Sequence, residues 1–582
     1  MWSSASGGSW TASRRSSVAA AGTEPEARCR TAARQVLERR WSPIRCRYRL
    51  TSLVHNRLTE KVAQGVIGTR AKLDELAKIL EIAAEPAGEA GAAKRAKKGI
   101  PSVRERVNML LDPGTFIETG ALARQPGQSD ALYGDGLVTG RGSIGGRPVV
   151  VISHDQTVYG GSVGVTSAQK FMRALQFAFD NACPVVTIND SGGARIQDAV
   201  GSIASFGDIS RVLEKLSGYV PQVSIILGKC AAGSVYGPIN TDVLIGTKDS
   251  YMFVTGPEVI KAVNGEDVTA EELGGAKVQA ERGTLHHVAD TEEEAYAWAR
   301  DYLSYMPTSC LEQPPIVNPG LEPEITASDR ELDRIIPDSD RAGYDMHEIL
   351  LRIFDDGGFH EIRAAFAPNL ITGFARVDGY PVGVIANQPL VLGGSIDAAC
   401  SDKSTYFIRL CDAFNIPLVF VADTPGVLPG LAEEASGVII RGGRVPRAII
   451  EATVPIINLV VRKSYGGAYG MMAARQVGAD ISFAWPTARI AVIGAESAVD
   501  LLGKRQLAAM PAEQRSAARE FMINHYNETI ATPWVAAERG YIDAVIEPSR
   551  TRLEIRHALR LLRDKPTAKP EFNPRKHPVY PM

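Results

Sequence analysis

At 582 residues the chain is too long for one ordinary core, and its 45% hydrophobic and 22% charged side chains are those of a globular protein of two or more domains. A net charge of −2 gives no basic footprint for nucleic acid, and no run of 18 apolar residues offers a membrane span. The seven cysteines, at 29, 46, 183, 230, 310, 400 and 411, form no Cys-x-x-Cys, which argues against a zinc ribbon or a disulfide framework and for a reducing compartment.

Residues 1–50 hold ten arginines against three acids, the composition of a mitochondrial transit peptide or of a disordered extension, so residues 1–57 are set apart. An amphipathic helix is expected over 58–84, with Leu73, Leu76, Leu80 and Ile82 near helical spacing. From Gly134 short apolar runs alternate with helical patterns. Buried strands are read at 149–153, 185–189 and 223–227, with helices at 167–181 and 203–217. The proline-rich stretch 312–330 reads as a linker. The same texture then resumes, with strands near 382–385, 418–421 and 456–461, and the tail from Lys565 reads as irregular.

The second half repeats the first. A shift of 233 residues places Gly160-Gly161-Ser162 on Gly393-Gly394-Ser395, Lys170 on Lys403, Pro184 on Pro417, Asp190 on Asp423 and Gly193 on Gly426. The same shift carries Gly233 onto Gly466 and Tyr236 onto Tyr469, whereas Val220-Pro221 and Lys229 prefer a shift of 234. Each half therefore has two Gly-rich turns, one after the strand ending at Asp190 or Asp423 and one before a helix opening near Gly233 or Gly467. Bare backbone N–H groups at such turns bind a negatively charged oxygen.

Side-chain chemistry is less persuasive. Gly160–Gly164 matches Gly-x-Ser-x-Gly, the nucleophile elbow, but the repeat keeps only Gly-Gly-Ser, and His286-His287 is a histidine candidate by default. Ser162 as a hydrolase nucleophile is thus a remote alternative. Cys230 reads as a packed strand-end residue, and Asp190 and Asp423 as turn or cap residues. Neither a His-x-x-x-His metal spacing nor a phosphate loop occurs, so no metal is expected. Many backbone donors and few acids or bases suit stabilisation of an enolate whose proton is taken by a group from outside the chain. Each such donor is worth about 2.7–4 kcal/mol in a transition state.

Leu110–Phe116, Asn189–Ile196, Cys230–Tyr236, Met252–Pro257, Gly265–Val268, Glu272–Ala276, Asp423–Gly426, Arg462–Tyr469, Ala484–Ala488 and Arg575–His577 together resemble the carboxyltransferase (β) subunit of biotin-dependent acyl-CoA carboxylases, propionyl-CoA carboxylase type. The resemblance implies an α/β fold of tandem crotonase-like domains, here 58–320 on the acyl-CoA side and 321–582 on the carboxybiotin side. It implies a hexamer in which the first domain of one subunit faces the second of another. Ala232 and Gly233 would hold the thioester oxygen and Gly467 and Ala468 the biotin ureido oxygen, with Gly192, Gly193, Ala194, Gly426, Tyr469 and Gly470 lining the substrates. Carboxybiotin would come from a separate α subunit carrying biotin carboxylase and carrier functions, since no Met-Lys-Met occurs here. No cofactor would be bound covalently. The cytoplasm is the expected compartment, or the mitochondrial matrix if 1–50 is a transit peptide. A biotin-dependent acyl-CoA decarboxylase subunit is the alternative within this resemblance. Two departures stand out: Ala232 replaces the usual first glycine after Cys-Ala, and Gly470 replaces the aspartate of propionyl-type chains, which predicts a wider acyl pocket for longer or branched groups.

Overall fold

The computed structural model describes residues 68–128, 130–320, 324–339, 342–565 and 579. The readings of residues 1–57 and of the tail beyond 565, including Arg575–His577, lie outside the described residues, as does the first part of the predicted 58–84 helix. Two compact units divide between Glu75 and Leu76. The first contributes only the start of the helix Thr69–Ala84 to the described residues, and the second holds both sheets.

The first sheet contains β1 (Ile117–Thr119), β2 (Leu137–Ile144), β3 (Arg147–His154), β4 (Val185–Ser191), β5 (Gln222–Ala231), β6 (Val243–Thr247), β7 (Tyr251–Phe253) and β8 (His287–Ala289). Its order is β1-β2-β3-β4-β5-β6-β8, with β7 pairing the end of β5. The second contains β9 (His360–Glu361), β10 (Leu370–Val377), β11 (Tyr380–Asn387), β12 (Leu418–Thr424), β13 (Ile456–Tyr465), β14 (Ile481–Ala484), β15 (Arg489–Ala491) and β16 (Ala544–Val545), in the order β9-β10-β11-β12-β13-β14-β16, with β15 on β13. The two orders are the same list of strands. Each sheet has an antiparallel hairpin (β2–β3, β10–β11) followed by parallel strands. Parallel strands need crossovers, which α1 (Val165–Asn181) and α2 (Ala199–Leu216) supply in the first half. Shorter helices α3 (Pro257–Asn264) and α4 (Ala270–Gly274) follow β7, and α5 (Ala398–Ala413) and α6 (Val438–Glu451) repeat α1 and α2. After β13 comes α7 (Gly466–Met471). All the strands read from apolar runs lie inside observed ones. The hairpin strands β2 and β10, broken by Gly140 and Gly373, carry no comparable run.

The ladders resolve the register of the repeat. Val185 pairs with Gln222 and Leu418 with Ile456, so β4 and β12 differ by 233 but β5 and β13 by 234. Gly233 therefore corresponds to Gly467, not Gly466, and the extra residue lies between β12 and β13. Both pairs break register at one place, between Asn189 and Ser191 and between Ala422 and Thr424.

One hydrophobic cluster runs through both halves, from Val186 and Ile225 to Phe374 and Phe407, and the Tyr406 hydroxyl donates to the Asp242 carbonyl between the sheets. Lys170 and Lys403 are buried at equivalent points. Lys170 Nζ donates to the carbonyls of Gly134 and Leu137, and Lys403 Nζ to those of Phe366 and Leu370, pinning each crossover helix to the segment that leads into its hairpin. Burial pushes both ammonium groups down to about 8. The unfolded chain binds more protons at these sites from about pH 8 to 10.5, so they make stability rise with pH across that window. Lys403→Met removes one of the two. The variant should show a shallower rise in unfolding free energy between pH 8 and 10 than the wild type in urea titrations.

Candidate functional site

The first half carries its two turns at the C-terminal ends of β4 and β5. After β4, Gly193 takes φ +105°, and a Cβ there would stand 3.1 Å from the Ala231 carbonyl and 3.2 Å from Ala232 Cβ. The turns therefore touch. Gly193 N–H donates to Ser191 Oγ at 3.3 Å, and Ser191 Oγ lies 2.7 Å from Ser234 Oγ on the second turn. Gly193 and Arg195 bond Val163 in both directions, at 2.9 Å each, so Ala194 is fixed beside them. After β5 the chain turns through Ala232, at φ +53°, into a short 3-10 helix, Ala232–Val235. The first N–H groups of any helix lack an intrahelical acceptor. Here they belong to Ala232, exposed, and Gly233, half-buried.

The second half repeats this construction. Gly426 has φ +134° and its N–H donates to Thr424 Oγ1 at 3.3 Å, as Gly193 does to Ser191. Ile396 N–H donates to Gly426 O at 3.0 Å. Gly466, at φ +57°, occupies the place of Ala232, and the open first turn of α7 carries Gly466, Gly467 and Ala468. Equivalence thus sets Gly466-Gly467 opposite Ala232-Gly233, and Ala468, which is buried, opposite Ser234. Tyr469 is half-buried, its hydroxyl donating to Gln476 Oε1 at 2.9 Å. Gly470 is half-buried, and a Cβ on it would meet Val477 at an ordinary 3.4 Å.

The halves differ in cover. The Phe206 ring from α2 would lie 2.9 Å from a Cβ on Gly233, whereas the nearest atom to a Cβ on Gly467 is Val427 Cγ2 at 3.9 Å. The second turn is the more open.

The two aspartates are not turn or cap residues, and that reading is corrected. Both lie inside strands and are buried. Asp423 Oδ2 accepts from Arg462 Nε at 2.9 Å and from the Tyr344 hydroxyl at 2.8 Å, while Oδ1 accepts from Lys463 N–H at 3.0 Å. Asp190 accepts from Gln156 Nε2 at 2.9 Å and from the Lys229 N–H, with Arg106 at 3.7 Å. Burial raises the Asp190 carboxyl above its ordinary range, against the pull of Arg106. Each carboxylate thus takes a backbone donor from the next strand where the ladder loses register. Arg195, also buried, bridges Asp135 Oδ1 at 2.7 Å and the Ser162 carbonyl at 3.0 Å, which holds the Gly-Gly-Ser turn.

Ser162 is engaged locally. Its hydroxyl donates to the Tyr159 carbonyl at 2.7 Å. His286 accepts the Leu244 N–H on Nδ1 at 3.0 Å, burial holds its pKa well down, and His287 stacks on Trp298. The repeated Gly-Gly-Ser has a packing cause: Gly161 and Gly394 have φ +67° and +77°, and a Cβ on either would overlap the carbonyl of Asp190 or Asp423. Cys230 is a packed strand-end residue, as expected. It is buried in β5, its thiol pushed up to about 12, with Sγ donating to Ser234 O. Among the described residues no cluster of His, Cys, Asp or Glu could hold a metal ion, and no helix is long and apolar enough to cross a membrane.

Two sheets of one topology, each ending in a pair of backbone turns, are tandem crotonase-like domains. The carboxyl transferase domain family matches residues 94–580, and the chain belongs to that family. It is 57% identical over 506 residues to the biotin-dependent long chain acyl-coenzyme A carboxylase beta4 subunit of Mycobacterium tuberculosis, covering 87% of this chain and 97% of that one. It is 44% identical to the propionyl-CoA carboxylase beta chain of Saccharopolyspora erythraea, covering 88% and 96%. Among solved structures it resembles transcarboxylase 12S, a hexamer assembly with methylmalonyl-coenzyme A bound, with a TM-score of 0.83, 41% identity, and coverage of 88% and 99%. The chain is accordingly a carboxyltransferase subunit of the biotin-dependent acyl-CoA carboxylase class.

Sequence reasoning missed Arg195, Arg462 and Tyr344 as the struts of the turns. Arg462 begins the repeated Arg462–Gly470 stretch, but its partner Tyr344 lies far upstream and no spacing signals it. Removing the Asp423 carboxylate strands the buried Arg462 guanidinium. Asp423→Ala should lose about 3–5 kcal/mol of stability, read in urea unfolding.

Proposed function

We propose that the chain transfers CO2 from carboxybiotin to the α carbon of an acyl-CoA, with long or branched acyl groups admitted. The observation that carries this reading is the pair of equivalent turns, each opening main-chain N–H groups at the end of a sheet while the neighbouring Arg195 and Arg462 are tied up in ion pairs. Ala232 and Gly233 would hold the thioester oxygen, placing two dipoles where negative charge grows as the α-proton leaves. Gly192, Gly193 and Ala194 form the facing wall. Gly467 and Ala468, one position on from the counterparts of Ala232 and Gly233, would hold the ureido oxygen of biotin, flanked by Gly426 and Tyr469. The residues fit such a group: the turn is open, and its nearest neighbour is the small apolar Val427. Carboxybiotin supplies the CO2 and, on releasing it, the base for the α-proton. The chain's own work is to orient the two substrates, polarise the carbonyl and exclude water.

The turns sit within apolar surface. Ile196 and Val200 are 88% and 76% exposed beside the first, and Leu431 and Ile439 are 88% and 77% exposed beside the second. Patches of this kind mark interfaces, and they support a homo-hexamer in which the domain 58–320 of one subunit faces the domain 321–582 of another. The biotin-dependent relatives support a separate α subunit as carrier of carboxybiotin, and the bacterial relatives support the cytoplasm as compartment. The relative named for long chain acyl-CoA supports a long acyl group as substrate.

CO2 fixation by the chain reconstituted with its biotin subunit tests the function over a panel of acyl-CoAs. Wild type should carboxylate acyl groups longer than propionyl, and strong preference for propionyl-CoA sinks the wide-pocket reading. Gly470→Asp should lower the ratio of kcat/KM for long over short acyl groups about 10-fold. Gly467→Val, which crowds the open turn, should lower kcat about 100-fold with acyl-CoA binding retained. Gly233→Val should weaken acyl-CoA binding itself.

A further inference from the structure

A thioester oxygen held at Ala232 and Gly233 leaves its alkyl tail two ways to go. Beneath the turn is a cavity of about 20 Å³ lined by Phe171, Phe206 and Ser234. That is room for about one water molecule and for no alkyl chain. Beyond the turn lies a groove of about 490 Å³, starting at Val235 and Tyr236. Ligand pockets run from about 300 to 1,000 Å³ with mostly apolar walls. The groove meets both conditions, with Met252, Val254, Ile260 and Leu273 among its lining residues. Its floor is joined to the turn: Lys229, Cys230 and Ala231, which lead into Ala232, pair in parallel with Tyr251, Met252 and Phe253 of β7. Helix α4 packs on that strand with Leu273, and α3 adds Ile260 to the same lining. A three-carbon acyl group needs none of this space.

We propose that the distal part of a long acyl tail lies in this groove, and that Ile260 and Leu273 set the chain length accepted. The proposal rests on the carboxyltransferase reading and on the first turn as the thioester site. Gly470 bears on the group near the α carbon, whereas the groove takes only the carbons beyond it.

The test uses the full chain reconstituted with its biotin subunit, with kcat/KM measured for propionyl-, octanoyl- and palmitoyl-CoA. Ile260→Trp and, independently, Leu273→Trp fill the groove. Each should lower kcat/KM for palmitoyl-CoA ~10-fold or more and leave propionyl-CoA within about twofold. A diazirine-bearing palmitoyl-CoA analogue applied to the wild-type complex should label peptides within residues 235–284, a readout that needs no variant to fold. The proposal is overturned if palmitoyl-CoA is unaffected, if both substrates fall together, or if the label maps elsewhere. It is also overturned if the variants split the oligomer in mass photometry, which would make the groove a contact between copies of this chain. Failure of the wild-type complex to carboxylate any acyl-CoA would instead remove the function proposed above.

Discussion

The proposed chemistry needs each half of the molecule to leave backbone N–H groups open at the end of a sheet. Buried peptide groups without partners are costly, so the chain can do this only where it turns outward. The turn follows a parallel strand in both halves, and it needs a left-handed residue at its first position. In the second half that residue is Gly466, for which φ +57° carries no side-chain penalty. In the first half it is Ala232, at φ +53°, where an L side chain is strained by about 1–3 kcal/mol. Strain of this kind persists only where the surroundings impose it. Here the Gly193 turn packs against Ala231 and Ala232 on one side, and the β5–β7 ladder holds the residues before them.

The buried aspartates make the geometry possible. A parallel ladder that continued in register past Asn189 or Ala422 would pair Ser191 with Gly228 and Thr424 with Arg462, whereas the partners are Cys230 and Ser464. The register breaks there, and the Asp190 and Asp423 carboxylates accept the main-chain donors of Lys229 and Lys463 instead. A carboxylate in this position replaces a carbonyl of the neighbouring strand, so the ladder can shift register without leaving a donor bare. Its charge then calls for a cation. The second half supplies Arg462 at hydrogen-bond distance, whereas the first offers Arg106 only at 3.7 Å. The Asp190 carboxyl is accordingly raised by burial.

Much of this was legible in the sequence. The parallel strands declared themselves as apolar runs because they are buried on both faces, and the duplication showed through glycines where a Cβ would overlap a neighbouring carbonyl, such as Gly161 and Gly394. The one-residue change of register was visible at Val220-Pro221 but could not be located, since the segments before β5 and β13 carry no anchor glycine. Long-range partners were out of reach. Tyr344 meets Asp423 across 79 positions, and Asp135 meets Arg195 across 60. The aspartates misled because strand-end Asp before Gly usually caps a turn. Only three-dimensional placement shows that their side chains point back along the sheet, to the next strand.

The two turns are equivalent in backbone and unequal in cover, and the inequality follows from what each is proposed to hold. A thioester oxygen belongs to a substrate that also has an acyl tail and a large CoA body, so the first turn gains from a wall on one side and a way out on the other. Phe206 closes the inner side, and β7 with α3 opens the outer one. A ureido oxygen on a group carried by another protein arrives and leaves with its carrier. The second turn therefore gains from access, and Gly467 has nothing closer to its face than Val427. Both halves have the same turn topology, and on the proposed reading the residues that differ around it, Phe206 and Tyr236 in one half and Val427 and Gly470 in the other, suit one copy to a tethered tail and the other to a visiting carrier.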